Sequence, residues 1–315
     1  VYLQSVALLD NWPTVGTDAF YGCVNLKVVL QDTLRINIKP GNDNHGYVAY
    51  YADIVFDFDR DSRYITDYTG NISNLIIPEG VYGLDADVFK GDTSLQTLTI
   101  PSSMKVVAYN SFQDCTNLTA IYFTESATQT GTLQIQNSAF EGCTALQTVE
   151  FSNIVGSIGW NAFRNCSSIC WLTLPSSLTV IEGNAFEGCT RLAAIINHSS
   201  LSLQDGSTDN GYVAYYAGYI EDSGNFEIVD GVYLVETNLN ALIRYYGSET
   251  EIVLPSSIPD IYYKGFYLNT NIQKVTVTSA TSSIGDKAFE GCVNLQTVIN
   301  TTSFDIIAGL ETYGY

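Results

Sequence analysis

Apolar residues recur along this chain at fixed long-range offsets. Counted from Pro175, residues Leu178, Ile181, Ala185, Phe186, Cys189, Leu192 and Ile195 fall at offsets 3, 6, 10, 11, 14, 17 and 20. From Pro78 the same offsets hold Val81, Leu84, Val88, Phe89, Asp92, Leu95 and Leu98; from Pro255 they hold Ile258, Ile261, Gly265, Phe266, Asn269, Ile272 and Val275. Phenylalanines at 20, 89, 112, 140, 163, 186, 266 and 289 are spaced by 69, 23, 28, 23, 23, 80 and 23 residues, so the unit is 23 residues long. A fixed period of that size predicts a solenoid, in which each unit buries its apolar face against its neighbours.

Each unit ends in a stretch that alternates apolar and polar positions, as strands do: LQTLTIP (95–101), LQTVEFS (146–152), ICWLTLP (169–175) and IQKVTVT (272–278). Stacked in parallel at about 4.8 Å per turn, such strands make one long sheet. The opposite side carries I-x-x-x-A-F, too short for a full helix, and is expected to form a turn or short helical piece. AFEGC recurs there at 139–143, 185–189 and 288–292. Its phenylalanine is expected to fill the space behind the sheet and stack on the ring one turn away.

The composite pattern L-x-x-I-x-L-P-x-S-L-x-x-I-x-x-x-A-F-x-x-C resembles the BspA-like leucine-rich repeat of bacterial surface proteins. The match is dense over residues 72–197 and 252–300 and partial over 1–31. The resemblance implies an α/β repeat solenoid, a leucine-rich repeat arc with a parallel β-sheet on the concave face and short helical or irregular convex segments. It also implies an extracellular or cell-surface location and adhesion to a host matrix or bacterial surface protein.

The long steps hide a second repeat. HGYVAYYA (45–52) and NGYVAYYA (210–217) share seven consecutive residues, and YITDYTGNISNLIIP (64–78) aligns without a gap to ALIRYYGSETEIVLP (241–255). One solenoid over 1–315 is therefore expected to carry two β-rich insertions, at about 32–70 and 198–247. Residues 226–247 read as a three-stranded meander with Asp230-Gly231 as a hairpin signal. The start of a third insertion falls at about 301–315, where the sequence stops on Gly314-Tyr315. Two readings of the tyrosines stay open: they wedge the insertion against the solenoid, or they offer an aromatic patch to a partner.

Composition narrows the chemistry. The chain has 33 Asp and Glu against 13 Lys and Arg, a formal charge of −20. Such a surface repels nucleic-acid phosphates and anionic membranes, and no run of eighteen apolar residues could span a bilayer. Seven cysteines are too few for a disulfide scaffold. Six share one repeat offset, which marks them as structural and as free thiols; Cys170, off that register, is the one expected to be exposed. The only histidines, His45 and His198, lie in no zinc or HExxH spacing and read as loop residues. Asp57, Asp59 and Asp61 open like a calcium loop, but Ser62 and Tyr68 stand where an EF-hand needs Gly and Glu. The three are a weak metal candidate at an acidic hairpin tip. No enzyme and no cofactor is expected.

Strand alternation turns Thr97, Thr99, Ala120, Tyr122, Thr148, Glu150, Trp171, Thr173, Ala194, Ile196, Lys274 and Thr276 outward. Tyr122, Glu150, Trp171 and Thr173 are the candidate ligand-binding residues on the concave face, with Tyr122 and Trp171 as aromatic anchors. The alternatives are that Trp171 covers an insertion, that the aromatic residues stack a glycan, or that the turns are a passive spacer.

Overall fold

The computed structural model describes residues 5–8, 18–32, 38–41, 43, 48–128 and 130–303. His45 and most of the third GY segment lie outside the described residues. The chain opens with β1 (Ser5–Leu8), β2 (Val28–Asp32), β3 (Ile54–Asp59) and β4 (Tyr64–Gly70). The repeats follow as pairs of strands: β5 (Asn74–Ile76) and β6 (Gly83–Leu84), β7 (Thr97–Ile100) and β8 (Val106–Val107), β9 (Ala120–Phe123) and β10 (Leu133–Ile135), β11 (Thr148–Glu150) and β12 (Val155–Ile158), β13 (Trp171–Leu174) and β14 (Val180–Ile181). Next come β15 (Ala194–Asn197), a single 3-10 turn at Asn210–Tyr212 and β16 (Tyr219–Glu221). The meander is β17 (Phe226–Val229), β18 (Tyr233–Glu236) and β19 (Ala241–Tyr245). The last turns hold β20 (Glu251–Val253), β21 (Asp260–Ile261), β22 (Lys274–Val277), β23 (Ser283–Ile284) and β24 (Thr297–Asn300).

This is a β-solenoid with two walls of strands. One wall is a nine-stranded sheet in the order β1-β2-β3-β4-β6-β8-β10-β12-β14, and it resumes beyond the meander as β21 and β23 of a five-stranded sheet, β17-β18-β19-β21-β23. The other is interrupted: β5-β7-β9-β11, then β13-β15-β16, then β20-β22-β24. The α/β description with helical convex segments is thereby corrected. Among the described residues the 3-10 turn is the only helical piece, and a second sheet of short strands stands beside the A-F turns. Pairs such as Val180–Ile181 are too short to display a period of two, which is why alternation does not reveal them.

The A-F segments are turns held by a ladder of their own. Phe112 N–H donates to Ala139 O at 2.8 Å, Phe140 to Ala162 at 2.8 Å, and Phe163 to Ala185 at 2.8 Å. The residue two before each phenylalanine takes a positive φ: Asp87 (62°), Asn110 (54°), Ser138 (56°), Asn161 (57°) and Asn184 (56°). Asp and Asn tolerate that left-handed backbone better than other side chains, which accounts for their recurrence before A-F. The phenylalanines stack as expected. Neighbouring rings from Phe89 to Phe186 lie 5.0–5.2 Å apart and within 15° of parallel. Beside them the ladder thiols are buried and free, each donating to a carbonyl one turn back: Cys143 Sγ to Phe112 O, Cys166 to Phe140 and Cys189 to Phe163, all at 3.2 Å.

The GYVAYYA segments continue this architecture. Phe186 N–H donates to Gly211 O at 2.7 Å, so Gly211 fills the slot that Ala185 fills one turn earlier. Gly211 has φ 64° and a Cβ there would lie 2.3 Å from Glu182 O, so only glycine fits. Val213, Ala214 and Ala217 are buried in the solenoid core, as Val48, Ala49 and Ala52 are in a smaller cluster near the N-terminus. The small residues do the wedging, not the tyrosines. Tyr215 and Tyr216 meet edge to face at 4.9 Å and stay half-buried.

After each such turn comes an antiparallel excursion. β3 and β4 form a hairpin within the nine-stranded sheet. The meander expected at 226–247 is present: β17, β18 and β19 pair antiparallel, and β19 pairs parallel with β21. Its strands β18 and β19 are buried along their whole length. Tyr233, Val235, Leu242 and Tyr245 face the C-terminal core, while Leu234 and Ile243 join Cys170, Ala193, Ala194 and Tyr219 on the other side. The meander is thus a seam between two lengths of solenoid.

Candidate functional site

Between β11 and β13 the second wall of the solenoid opens. The two strands are neighbours, yet no ladder joins them: β11 ends one sheet and β13 begins the next. A cleft of about 250 Å³ lies there, lined by Gln147, Thr148, Val149, Glu150, Phe151, Trp171 and Thr173. Three of the four predicted residues, Glu150, Trp171 and Thr173, therefore share one cleft. Tyr122 does not line it but lies beside it, in register with Glu150 across β9 and β11. Tyr122 is 37% exposed, Glu150 is exposed, and Thr173 is half-buried.

Trp171 plays two parts. It lines the cleft, and it packs on the seam, with its ring centroid 6.2 Å from that of Phe226. The expectation that alternation exposes the whole face fails nearby: Ala194 is fully buried and Ile196 is buried, and Ala194 lies in the seam cluster with Tyr219, Leu234 and Ile243. Cys170, expected to be exposed, is 6% exposed in that cluster, and burial raises its thiol pKa.

The aspartates of the first hairpin are not assembled for a cation. Asp57 accepts from Gln31 Nε2 at 2.7 Å, Asp59 Oδ1 caps the turn through the Asp61 N–H at 2.8 Å, and Asp61 is exposed. The hydrogen bonds from the turn hold Asp59 below the usual carboxylate range. Among the described residues no group of three His, Cys, Asp or Glu could hold a metal ion. His198 is an exposed loop residue whose Nε2 lies 2.9 Å from Asp222 O.

Sequence reasoning missed a second cavity, of about 360 Å³, at the seam. It is lined by Thr190, Tyr216, Arg244, Tyr245, Tyr246, Gly247, Tyr267, Leu268, Asn269, Thr270 and Asn271. Its parts come from four stretches of chain, so no local motif reveals it. The available signal was Arg244, a charge inside the otherwise apolar and aromatic run ALIRYY.

Two stacked walls of short parallel strands, a phenylalanine ladder between them and an open cleft on one wall define a leucine-rich repeat solenoid. The sequence matches the family described as BspA type Leucine rich repeat region in six copies, over residues 62–189, 128–207 and 241–309. The chain belongs to that family. Nothing matches it among curated proteins. Solved structures similar to it include a leucine-rich repeat protein of T. pallidum, 25% identical over 53% of this chain and 78% of that one, with a TM-score of 0.44. A leucine rich cell surface protein of Faecalibacterium prausnitzii is 17% identical over 79% of this chain and 93% of that one, TM-score 0.36. A leucine-rich repeat protein of Bacteroides ovatus is 19% identical over 79% and 70%, TM-score 0.40. Among the described residues no helix is long and apolar enough to cross a membrane.

Proposed function

We propose that this BspA-type repeat protein is a non-enzymatic, secreted or surface-displayed adhesion protein that binds a protein ligand of a host matrix or bacterial surface through the face of β9, β11 and β13. The observation that carries the reading is the cleft between β11 and β13, where Glu150, Trp171 and Thr173 converge beside the exposed Tyr122. Aromatic anchors at a preformed depression supply interface energy with little ordering cost. Glu150 adds a charge that selects a basic contact on the partner.

A second reading, glycan binding, is favoured by the size and lining of the same cleft: one indole wall with Gln147, Thr148, Glu150 and Thr173 around it. Both readings are tested by one experiment. The purified chain is screened against immobilised matrix, mucosal and bacterial surface proteins and a glycan array, beside Tyr122→Ala and Glu150→Lys variants. These positions are open, so folding is retained; Trp171→Ala would also disturb the seam. A protein ligand lost in both variants supports adhesion here. A glycan lost in their place selects the second reading. Silence from folded protein on both surfaces overturns both and leaves the repeats as a spacer.

A further inference from the structure

We infer that the cavity at the seam is an anion-binding site, in which Arg244 receives a single oxyanion group, a carboxylate, phosphate or sulfate, carried by a small ligand. Arg244 is 4% exposed and forms no ion pair among the described residues. One terminal nitrogen donates to Tyr216 O at 2.8 Å, while its Nε is buried without a hydrogen-bond partner. The guanidinium lies 5.4 Å from the centroid of the Tyr267 ring. A carbonyl and an aromatic face are neutral, so they do not cancel the charge.

A buried cation without a counter-ion is costly, and proteins ordinarily pair it. Asp205, whose charge acts on Arg244, is already engaged. Asp205 accepts from Lys264 Nζ at 2.7 Å and from the Tyr263 hydroxyl at 2.9 Å. Glu249 accepts the Tyr245 hydroxyl at the exposed rim. A second guanidinium stands nearby: Arg191 lies 4.2 Å from the centroid of the Tyr246 ring, and its Nε too is buried and unpartnered. A chain of net charge −20 therefore holds a local excess of positive charge beside a cavity. Burial also lowers the Arg244 pKa, the direction that an arriving anion would reverse.

The walls suit a small ligand with a polar body. Tyr216, Tyr246 and Tyr267 give aromatic surface, and Thr190, Asn269 and Thr270 give hydrogen-bonding groups. The volume of about 360 Å³ is at the lower end of small-molecule sites. Leu268 closes one side in a left-handed backbone, φ 56°, where other repeats place Gly142, Asn165 or Gly188. Its side chain is 52% exposed, so a strained residue is held at the cavity wall without burial to compensate.

The test is thermal unfolding of the intact chain in chloride, inorganic phosphate, sulfate or glucuronate at equal pH and ionic strength. Two variants run beside it. Arg244→Gln removes the charge. Asn269→Asp supplies a carboxylate from the protein at the cost of the Asn269 Nδ2 bond to Gly247 O at 3.2 Å, and keeps the Oδ1 turn bonds that Asp92 makes at the same repeat position. Asp92 Oδ1 accepts from the Ser94 and Leu95 N–H groups at 2.6 and 3.3 Å; Asn269 Oδ1 accepts from Asn271 and Ile272 at 3.0 and 3.2 Å. The wild type is expected to gain about 3 °C in at least one oxyanion at roughly tenfold its dissociation constant, and both variants to lose that gain. The anion that acts names the group recognised. A gain shared equally by all three proteins, or absent from the wild type, overturns the assignment. If Arg244→Gln does not fold, Asn269→Asp alone decides.

Discussion

The run of turns from Phe89 to Phe186 and the seam from Asp205 to Tyr267 solve the same packing problem with opposite chemistry. In the ladder each turn repeats its neighbour: ring on ring, thiol under carbonyl, and a left-handed residue before each A-F. In the seam the parallel ring ladder gives way to tilted pairs such as Tyr245 on Phe266, at 47°. Tyrosines, two arginines, Lys264 and Asp205 join strands buried on both faces, and long-range side-chain bonds such as Tyr246 OH to Arg191 O at 2.6 Å replace the ladder. Translation along an axis lets one solution serve every turn. A meander inserted across that axis meets different neighbours on each side, and every contact there needs a specific residue.

Breaking the ladder at its centre should cost the most. Phe140→Ala removes a fully buried ring stacked on both neighbours and is expected to lose about 3–5 kcal/mol in denaturant unfolding. Lys264→Ala, at the seam, leaves Asp205 without its cation and is expected to lose about 2–3 kcal/mol. The two should differ in kind as well as size. Neighbour-coupled repeats lose cooperativity at a weak junction, so Lys264→Ala should separate the unfolding of the C-terminal turns from that of the ladder, seen as two transitions. A single transition in that variant would mean that the seam couples the halves no more than any ladder turn does.

The thiols sharpen the contrast through pH. Burial pushes Cys189 up to about 12 and Cys292 to about 11, from 9.0 for a free thiol. The folded chain holds these protons more tightly than the unfolded one. Their contribution is whole below pH 9 and declines by about 1.4 kcal/mol per pH unit as pH rises, to about pH 12 for Cys189 and about pH 11 for Cys292. Cys189→Ala should flatten that decline between pH 9 and 12. An unchanged slope would place the alkaline sensitivity elsewhere.

The smallest effect belongs to Leu268. Glycine relieves its positive φ, so Leu268→Gly is expected to raise stability by about 1 kcal/mol and to widen the seam cavity. A loss of stability would show that the leucine is a packing residue.

What the sequence reveals follows the same division. The phenylalanine and cysteine ladders were legible because a solenoid turns packing into periodicity: seven offsets in three units determine which side chains meet. The short strands of the nine-stranded wall were not legible, since pairs such as Val106–Val107 carry no alternation. Glu150, Trp171 and Thr173 converge as strand register implies, but Ala194 and Ile196 do not face solvent. Register says which side of a strand a residue takes and nothing of what later chain covers that side. Arg244 meets Tyr216 and Tyr267 only because the meander folds back, and contacts of that kind leave no spacing to count.

The missing rungs between β11 and β13 also have a mechanical consequence. The nine-stranded wall runs unbroken past that level through the pairing of β10 with β12, and the A-F ladder crosses it as well. Bending that opens the interrupted wall separates only side-chain contacts, whereas bending the other way must stretch main-chain hydrogen bonds. At this level the solenoid is therefore compliant in one direction, and a load applied there widens or narrows the cleft holding Glu150, Trp171 and Thr173 without breaking a main-chain ladder.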